Sequence, residues 1–184
     1  MSAVLTSQFT YDGYLAWETS QPGKHEFFGG QVFAMVGPQR VHGEIVRNLT
    51  VALQTHLKGT RCRSYSADMK LRVAAADAVF YPDLFVTCDA RDLVTELVFE
   101  HPTLVVEVLS DSTAAYDRGS KFAAYRQLPS LAEYVLIAPE RKSVEVFRRN
   151  AENLFVLHDF TEHDMVEFQS VSASIPTSVI FENV

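Results

Sequence analysis

Hydrophobic positions along the chain change period several times, and each change marks an element. Residues 10–18 suit a short helix, which Gln21-Pro22-Gly23 interrupts. Two short apolar segments, 26–28 and 31–35, flank Gly29-Gly30, a pair that tolerates positive φ and signals a two-residue hairpin. From Pro38 a long amphipathic helix is expected. Val41, Ile45, Leu49, Leu53 and Leu57 recur at every fourth position, Val46 and Ala52 widen the stripe, and Gly59 ends it. The period then falls to two: over 61–73, Met69, Leu71 and Val73 share one face while Asp68, Lys70 and Arg72 share the other. Segments 79–87 and 104–109 are almost continuously apolar, as in strands covered on both faces. Asp111 or Ser112 can cap a helix reaching residue 128, where Pro129 stops it. Strands at 132–138, 144–148 and 154–157 follow, divided by polar turns. This order predicts an α/β fold with a mixed α+β sheet. With no linker or repeat in view, it reads as a single domain over 1–184.

Composition narrows the functional classes. Hydrophobic residues make up 47% of the 184 positions and charged residues 21%, which excludes intrinsic disorder. No apolar run approaches ~18 residues, so no membrane span is expected, and the first seventeen residues lack the features of a secretory signal. A cytoplasmic protein is the expectation. Sixteen Lys and Arg face 23 Asp and Glu, a net charge of −7 that argues against bulk adhesion to nucleic acid or anionic membrane. Cys62 and Cys88 have no C-x-x-C spacing and read as buried reduced thiols rather than a disulfide. The six histidines lack the paired spacing of a zinc site.

Two carboxylates break their local pattern. Glu107 lies mid-strand in L-V-V-E-V-L, on the face it shares with Val105 and Leu109. Asp83 does the same in F-Y-P-D-L-F-V, directly after Pro82, whose missing N–H makes that segment start, bulge or lie at an edge. An ionised carboxylate in such a strand needs a cation or hydrogen-bond donors. Each acid alone reads as the partner of a buried Arg or Lys, or as a group at an exposed strand end. The two together, 24 residues apart, fit convergence on Mg²⁺ or Mn²⁺, which prefer carboxylate oxygens and retained water. Downstream, Asp117 and Lys121 stand at i, i+4. They form either a surface ion pair or, if Lys121 turns back toward Glu107, the positive charge of a site.

The segments E-F-F-G-G-Q-V-F-A-M from residue 26, H-G-E-I-V-R-N-L from 42, A-D-M-K-L-R from 67 and Y-P-D-L-F-V-T-C-D from 81 follow one another. L-V-V-E-V-L-S-D-S-T-A-A-Y-D-R-G-S-K from 104 and P-S-L-A-E-Y-V-L-I from 129 complete the series. Together they resemble the Uma-two family of restriction-endonuclease-like proteins, within the PD-(D/E)XK nuclease superfamily, over residues 11–149. The resemblance implies a restriction-endonuclease-like αβββαβ core, here with an N-terminal hairpin and extra C-terminal strands. It also implies a metal-dependent endonuclease acting on DNA, with Asp83 and Glu107 binding Mg²⁺ or Mn²⁺. The superfamily's E-x-K lysine belongs two residues after Glu107, where this chain has Leu109. Lys121 is the substitute expected in that reading, making Asp83, Glu107 and Lys121 the catalytic set. Glu26, His42, Glu44 and Asp68 are supporting candidates, each also readable as a cap, a surface group or, for Asp68, a salt-bridge partner of Lys70 or Arg72. DNA binding is expected to be weak and salt-dependent, and cutting both strands would suit a homodimer. Two other readings stay open: a non-catalytic binding or assembly protein that keeps the fold, and a small-molecule phosphodiesterase.

Overall fold

The computed structural model describes residues 3–5, 8–35, 37, 39–66 and 68–184. Helix α1 (Tyr11–Glu18) opens on Thr10, whose hydroxyl accepts from the Gly13 N–H, and strands β2 (His25–Phe28) and β3 (Gln31–Ala34) form the expected hairpin. Gly29 and Gly30 make its turn at φ of 56° and 80°, where a side chain would be strained. The short strand β1 (Ala3–Leu5) pairs along β3. Helix α2 (Arg40–Leu57) then buries Ile45, Leu49, Leu53 and Leu57, the predicted stripe. Pro38, expected to open it, lies outside the described residues.

Both long strand predictions break in the middle. Segment 61–73 becomes β4 (Arg63–Ser66) and β5 (Lys70–Val73), and 79–87 becomes β6 (Ala78–Phe80) and β7 (Leu84–Thr87). The halves join different sheets. One has the order β1-β3-β2-β6-β5-β8, with β8 at Val98–Phe99. The other runs β12-β11-β10-β9-β7-β4, with β9 at Pro102–Val108, β10 at Glu133–Ala138, β11 at Ser143–Arg149 and β12 at Phe155–Phe160. The second break falls at Tyr81-Pro82-Asp83, where proline removes a ladder donor and the chain passes between sheets.

The third helix is shorter than predicted, at 114–125. A first turn (Ala114–Tyr116) leads into a π-helical segment (Asp117–Lys121) and a last turn (Phe122–Tyr125); the whole is α3 here. Gln127 and Leu128 no longer continue it, because their N–H groups donate back only three residues, to Ala124 and Tyr125. The expected αβββαβ order is present as α2, β4, β7, β9, α3 and β10, with β9 and β10 parallel across the α3 crossover. Past β12, a hairpin of β13 (Met165–Phe168) and β14 (Ala173–Pro176) and a short helix α4 (Thr177–Ile180) complete the chain.

The second sheet is covered on both faces. Val86, Leu104, Val106, Val135 and Val146 pack against α2, while Phe85, Val105, Tyr134 and Leu136 pack with Tyr125 and Leu128 beside the first sheet. Among the described residues no helix is long and apolar enough to cross a membrane. The expectation for the cysteines is overturned. Cys62 and Cys88 are joined in a disulfide rather than kept as free thiols. Antiparallel pairing of β4 with β7 sets Arg63 opposite Thr87, and the next positions outward bring the two cysteines together, with Cα atoms 4.0 Å apart. The proximity comes from strand register, which the spacing of two lone cysteines does not reveal.

Candidate active site

The β7–β9 ladder closes at Leu84 opposite Val106, so one step further along each strand Asp83 stands beside Glu107. Two donors fix Asp83: its Oδ2 accepts from the Val108 N–H at 2.7 Å and lies 3.0 Å from Nε2 of His42, in the first turn of α2. Glu107 follows the two-residue alternation onto the face of Val105, toward α3. There Nζ of Lys121 lies 2.9 Å from Glu107 Oε1, and the Tyr125 hydroxyl donates to the same oxygen at 3.1 Å.

Lys121 is the last residue of the π-helical segment, a wide turn of the kind found at functional positions. Tyr134, on β10, donates its hydroxyl to the Asp117 carbonyl at 3.0 Å and so satisfies a backbone group of that turn. From the first sheet comes Glu26 on β2. Its Oε1 lies 2.9 Å from the same ammonium and accepts from the Tyr81 N–H at 3.2 Å, while its Oε2 is buried with no hydrogen-bond partner among the described residues. Asp117 stands 3.9 Å from Lys121 along the helix, and both are buried, so their i, i+4 pair is not on the surface.

The fold thus gathers Asp83, Glu107, Lys121, Glu26 and His42. The other two candidates lie apart from this cluster: Glu44 pairs with Arg47 at 2.5 Å along α2, and Asp68 pairs with Lys24 on the surface. Asp117, Tyr116 and Tyr125 belong to the site and were not singled out as site residues from the sequence. Tyr116 and Tyr125 look like ordinary core aromatics there, and only the widened turn, invisible in sequence, aims this part of the helix inward. The Tyr116 hydroxyl is buried without a partner among the described residues and sits within the field of Glu26 and Lys121.

Electrostatically the cluster holds more acids than cations. Burial pushes the Glu107 carboxyl well above its ordinary range. Lys121 pulls it back, while Asp83, Asp117 and Glu26 push it further up. Burial alone would lower the Lys121 ammonium, but Glu107, Glu26 and Asp117 outweigh it and hold its pKa well above the ordinary lysine value. The lysine therefore keeps its proton and the acids share the surplus negative charge. Exposure is graded across the site: the Asp83 and His42 side chains are 20% and 18% exposed, while Glu26, Glu107 and Lys121 are at 5% or less. The approach from solvent is at Asp83.

Glu133 shows what a purely structural buried acid looks like in this chain. It is 0% exposed and accepts from Arg148 Nε at 2.8 Å, the Gln169 and Ser170 N–H groups at 3.1 and 2.9 Å, and the Ser170 hydroxyl. The orphaned oxygen of Glu26 and the surplus of carboxylates leave the candidate site unsatisfied by comparison. Among the described residues, no three metal-binding side chains already stand at ligand distance from a common point. Two neighbouring carboxylates with excess negative charge nevertheless suit a hard divalent cation that keeps several waters.

The whole chain is similar to known proteins. An uncharacterized protein, slr1290, from Synechocystis sp. (strain ATCC 27184 / PCC 6803 / Kazusa) is 36% identical over 168 residues, covering 91% of this chain and 88% of its own. A second from the same organism, the uncharacterized protein sll1609, is 29% identical over 171 residues, covering 91% of this chain and 97% of its own. A solved structure described as "a putative nuclease belonging to DUF820", from Anabaena variabilis ATCC 29413, matches with a TM-score of 0.78. It covers 94% of this chain and 97% of that one at 18% identity, a likeness that shows the fold. The model of the family Uma2, described as "Putative restriction endonuclease", matches residues 11–179, and the chain belongs to that family.

Proposed function

We propose that this protein is a divalent-metal-dependent endonuclease that hydrolyses DNA phosphodiester bonds, with Asp83 and Glu107 as ligands of Mg²⁺ or Mn²⁺ and Lys121 as the catalytic cation. The observation that carries the reading is the contact of Lys121 with Glu107 at 2.9 Å. A helix supplies the ammonium that the strand position of Leu109 cannot. When bound, the metal supplies Lewis acidity and a water whose pKa is lowered toward neutrality. The Val108 N–H and His42 hold Oδ2 of Asp83, which orients that carboxylate at the solvent edge, where a phosphate arrives. Lys121, kept charged by its acid neighbours, stabilises negative charge as it develops on the phosphate or orients the attacking water. Glu107 and Lys121 work where water is largely excluded, so their charges act at greater strength than in bulk solvent.

Nicking of supercoiled plasmid in the presence of Mg²⁺ or Mn²⁺ is the expected activity. Asp83→Ala, Glu107→Ala and Lys121→Met should each reduce it by about 10²-fold or more, the scale of losing one electrostatic contact to a transition state. Wild-type rates in Asp83→Ala and Glu107→Ala would reject the proposal. The burial of Lys121 between two acids favours a second reading, in which the cluster is structural and the protein binds a partner without cleaving. Metal-independent binding with no cleavage under any ion would establish that alternative. A screen of nucleotides and small phosphodiesters separates DNA from a small substrate, and sedimentation measures whether a homodimer presents two sites to two strands.

A further inference from the structure

Glu26 is a buried acid of the cluster to which the proposed reaction gives no task. It stands on β2, in the other sheet from Glu107 and from the strand that Asp83 precedes, and is 1% exposed. One oxygen is fixed, since Oε1 accepts from the Tyr81 N–H at 3.2 Å and faces Lys121 at 2.9 Å. The other, Oε2, is buried and has no hydrogen-bond partner among the described residues. Lys121 is shared evenly, because its Nζ lies 2.9 Å from Glu107 Oε1 as well. A divalent cation at Glu107 would repel that ammonium, and the lysine must then lean on something else. Asp117 is further off, at 3.9 Å, and sits on the same helix as the lysine. Glu26 lies opposite, anchored by a backbone N–H and with an acceptor to spare.

We propose that Glu26 is the docking carboxylate of Lys121: it takes over the ammonium when a divalent cation claims Glu107, so the lysine stays in the site while the metal enters. The inference rests on the metal-binding reading of Asp83 and Glu107 given above. Glu26 acts through Lys121 and is a positioning residue. It does not ligate the metal. Without it, Lys121 has Glu107 as its nearest acid and competes with the cation for that oxygen.

The test is isothermal titration of Mn²⁺ alone into the full chain, its Glu26→Gln and Lys121→Met variants, the double variant, and Asp83→Ala. Glu26→Gln should weaken Mn²⁺ binding about tenfold, the size expected for coupling between residues in contact. Lys121→Met should tighten binding several-fold by removing the competing charge. In the Lys121→Met background, adding Glu26→Gln should change affinity by less than about twofold, because position 26 then has no ammonium to hold away from Glu107. A tenfold loss in both backgrounds would overturn the inference by making Glu26 a direct ligand, and no loss in either would overturn it as well. If wild type shows no Mn²⁺ binding that depends on Asp83, the metal-dependent function fails and this inference fails with it. Lys121→Gln serves as the second neutral variant if circular dichroism shows Lys121→Met to be unfolded.

Discussion

In the proposed reaction Lys121 meets two opposed demands, since an ammonium that acts strongly on a phosphate must be dry, and a dry ammonium must be paired. The fold answers with three acids within 4 Å of Nζ, at 2.9, 2.9 and 3.9 Å. That is more negative charge than one lysine neutralises, and Asp117 carries part of the cost. Burial raises its carboxyl above the ordinary aspartate value of 3.8, against the pull of Lys121 and a hydrogen bond from Thr113. A raised carboxyl pKa in the folded state means that ionised Asp117 destabilises the fold above that pKa. The penalty fades as pH falls through it toward 3.8. Asp117→Asn should therefore unfold at a higher temperature near pH 7, by about 1 kcal/mol or roughly 2–4 °C for a chain of this size. That advantage should shrink as thermal melts are repeated at lower pH. A melt of Asp117→Asn below wild type at pH 7 would show that the aspartate is a net stabiliser. Glu133 should behave oppositely. Each of its oxygens is hydrogen-bonded, and its loss leaves buried donors unpaired.

Elements were legible wherever one period ran uninterrupted. The stripe from Val41 to Leu57 defined α2, and Gly29-Gly30 defined the hairpin, because helical periodicity and positive φ are local properties. The splits of 61–73 and 79–87 between two sheets were not legible, since an apolar run reads the same whichever sheet receives it. Asp83 and Glu107 stood out as acids in apolar strands, and that anomaly is local. Their adjacency is a matter of β7–β9 register, and the approach of Lys121 depends on a π-helical turn, so neither could be read from spacing. The cysteines failed for the same reason: strand pairing brings Cys62 to Cys88 across 26 positions of sequence. The disulfide ties edge strand β4 to β7, the strand that Asp83 precedes, and loop-closure entropy for that separation is about 3.5 kcal/mol. Reduction, or the Cys62→Ser and Cys88→Ser pair, should lower the denaturant midpoint accordingly. An unchanged midpoint would mean that the bond adds nothing to stability.

Across the whole molecule, the net charge of −7 opposes association with a polyanion. Two of the basic side chains beside the site are also committed to acids: Arg72 to Glu100 at 3.0 Å, and Arg118 to Glu145 on β11. Duplex binding should accordingly be weak, and affinity measured by fluorescence anisotropy should fall at least tenfold between about 50 and 200 mM salt. Affinity insensitive to salt would point to a ligand other than a nucleic acid. The π-helical turn has a consequence for descent as well as for chemistry. In the proposed site, the gap between the acid of β9 and its lysine is set by a count of residues, including the one extra residue that widens the helix. Loss of a single codon there, at Gly119 for instance, would return the wide turn to an ordinary α-helical one and move Lys121 relative to Glu107 while changing no side chain of the cluster. Insertions and deletions in this short stretch, more than substitutions, would then be what separates active lineages from silent ones. A relative could retain every acid and the lysine and still have lost the site.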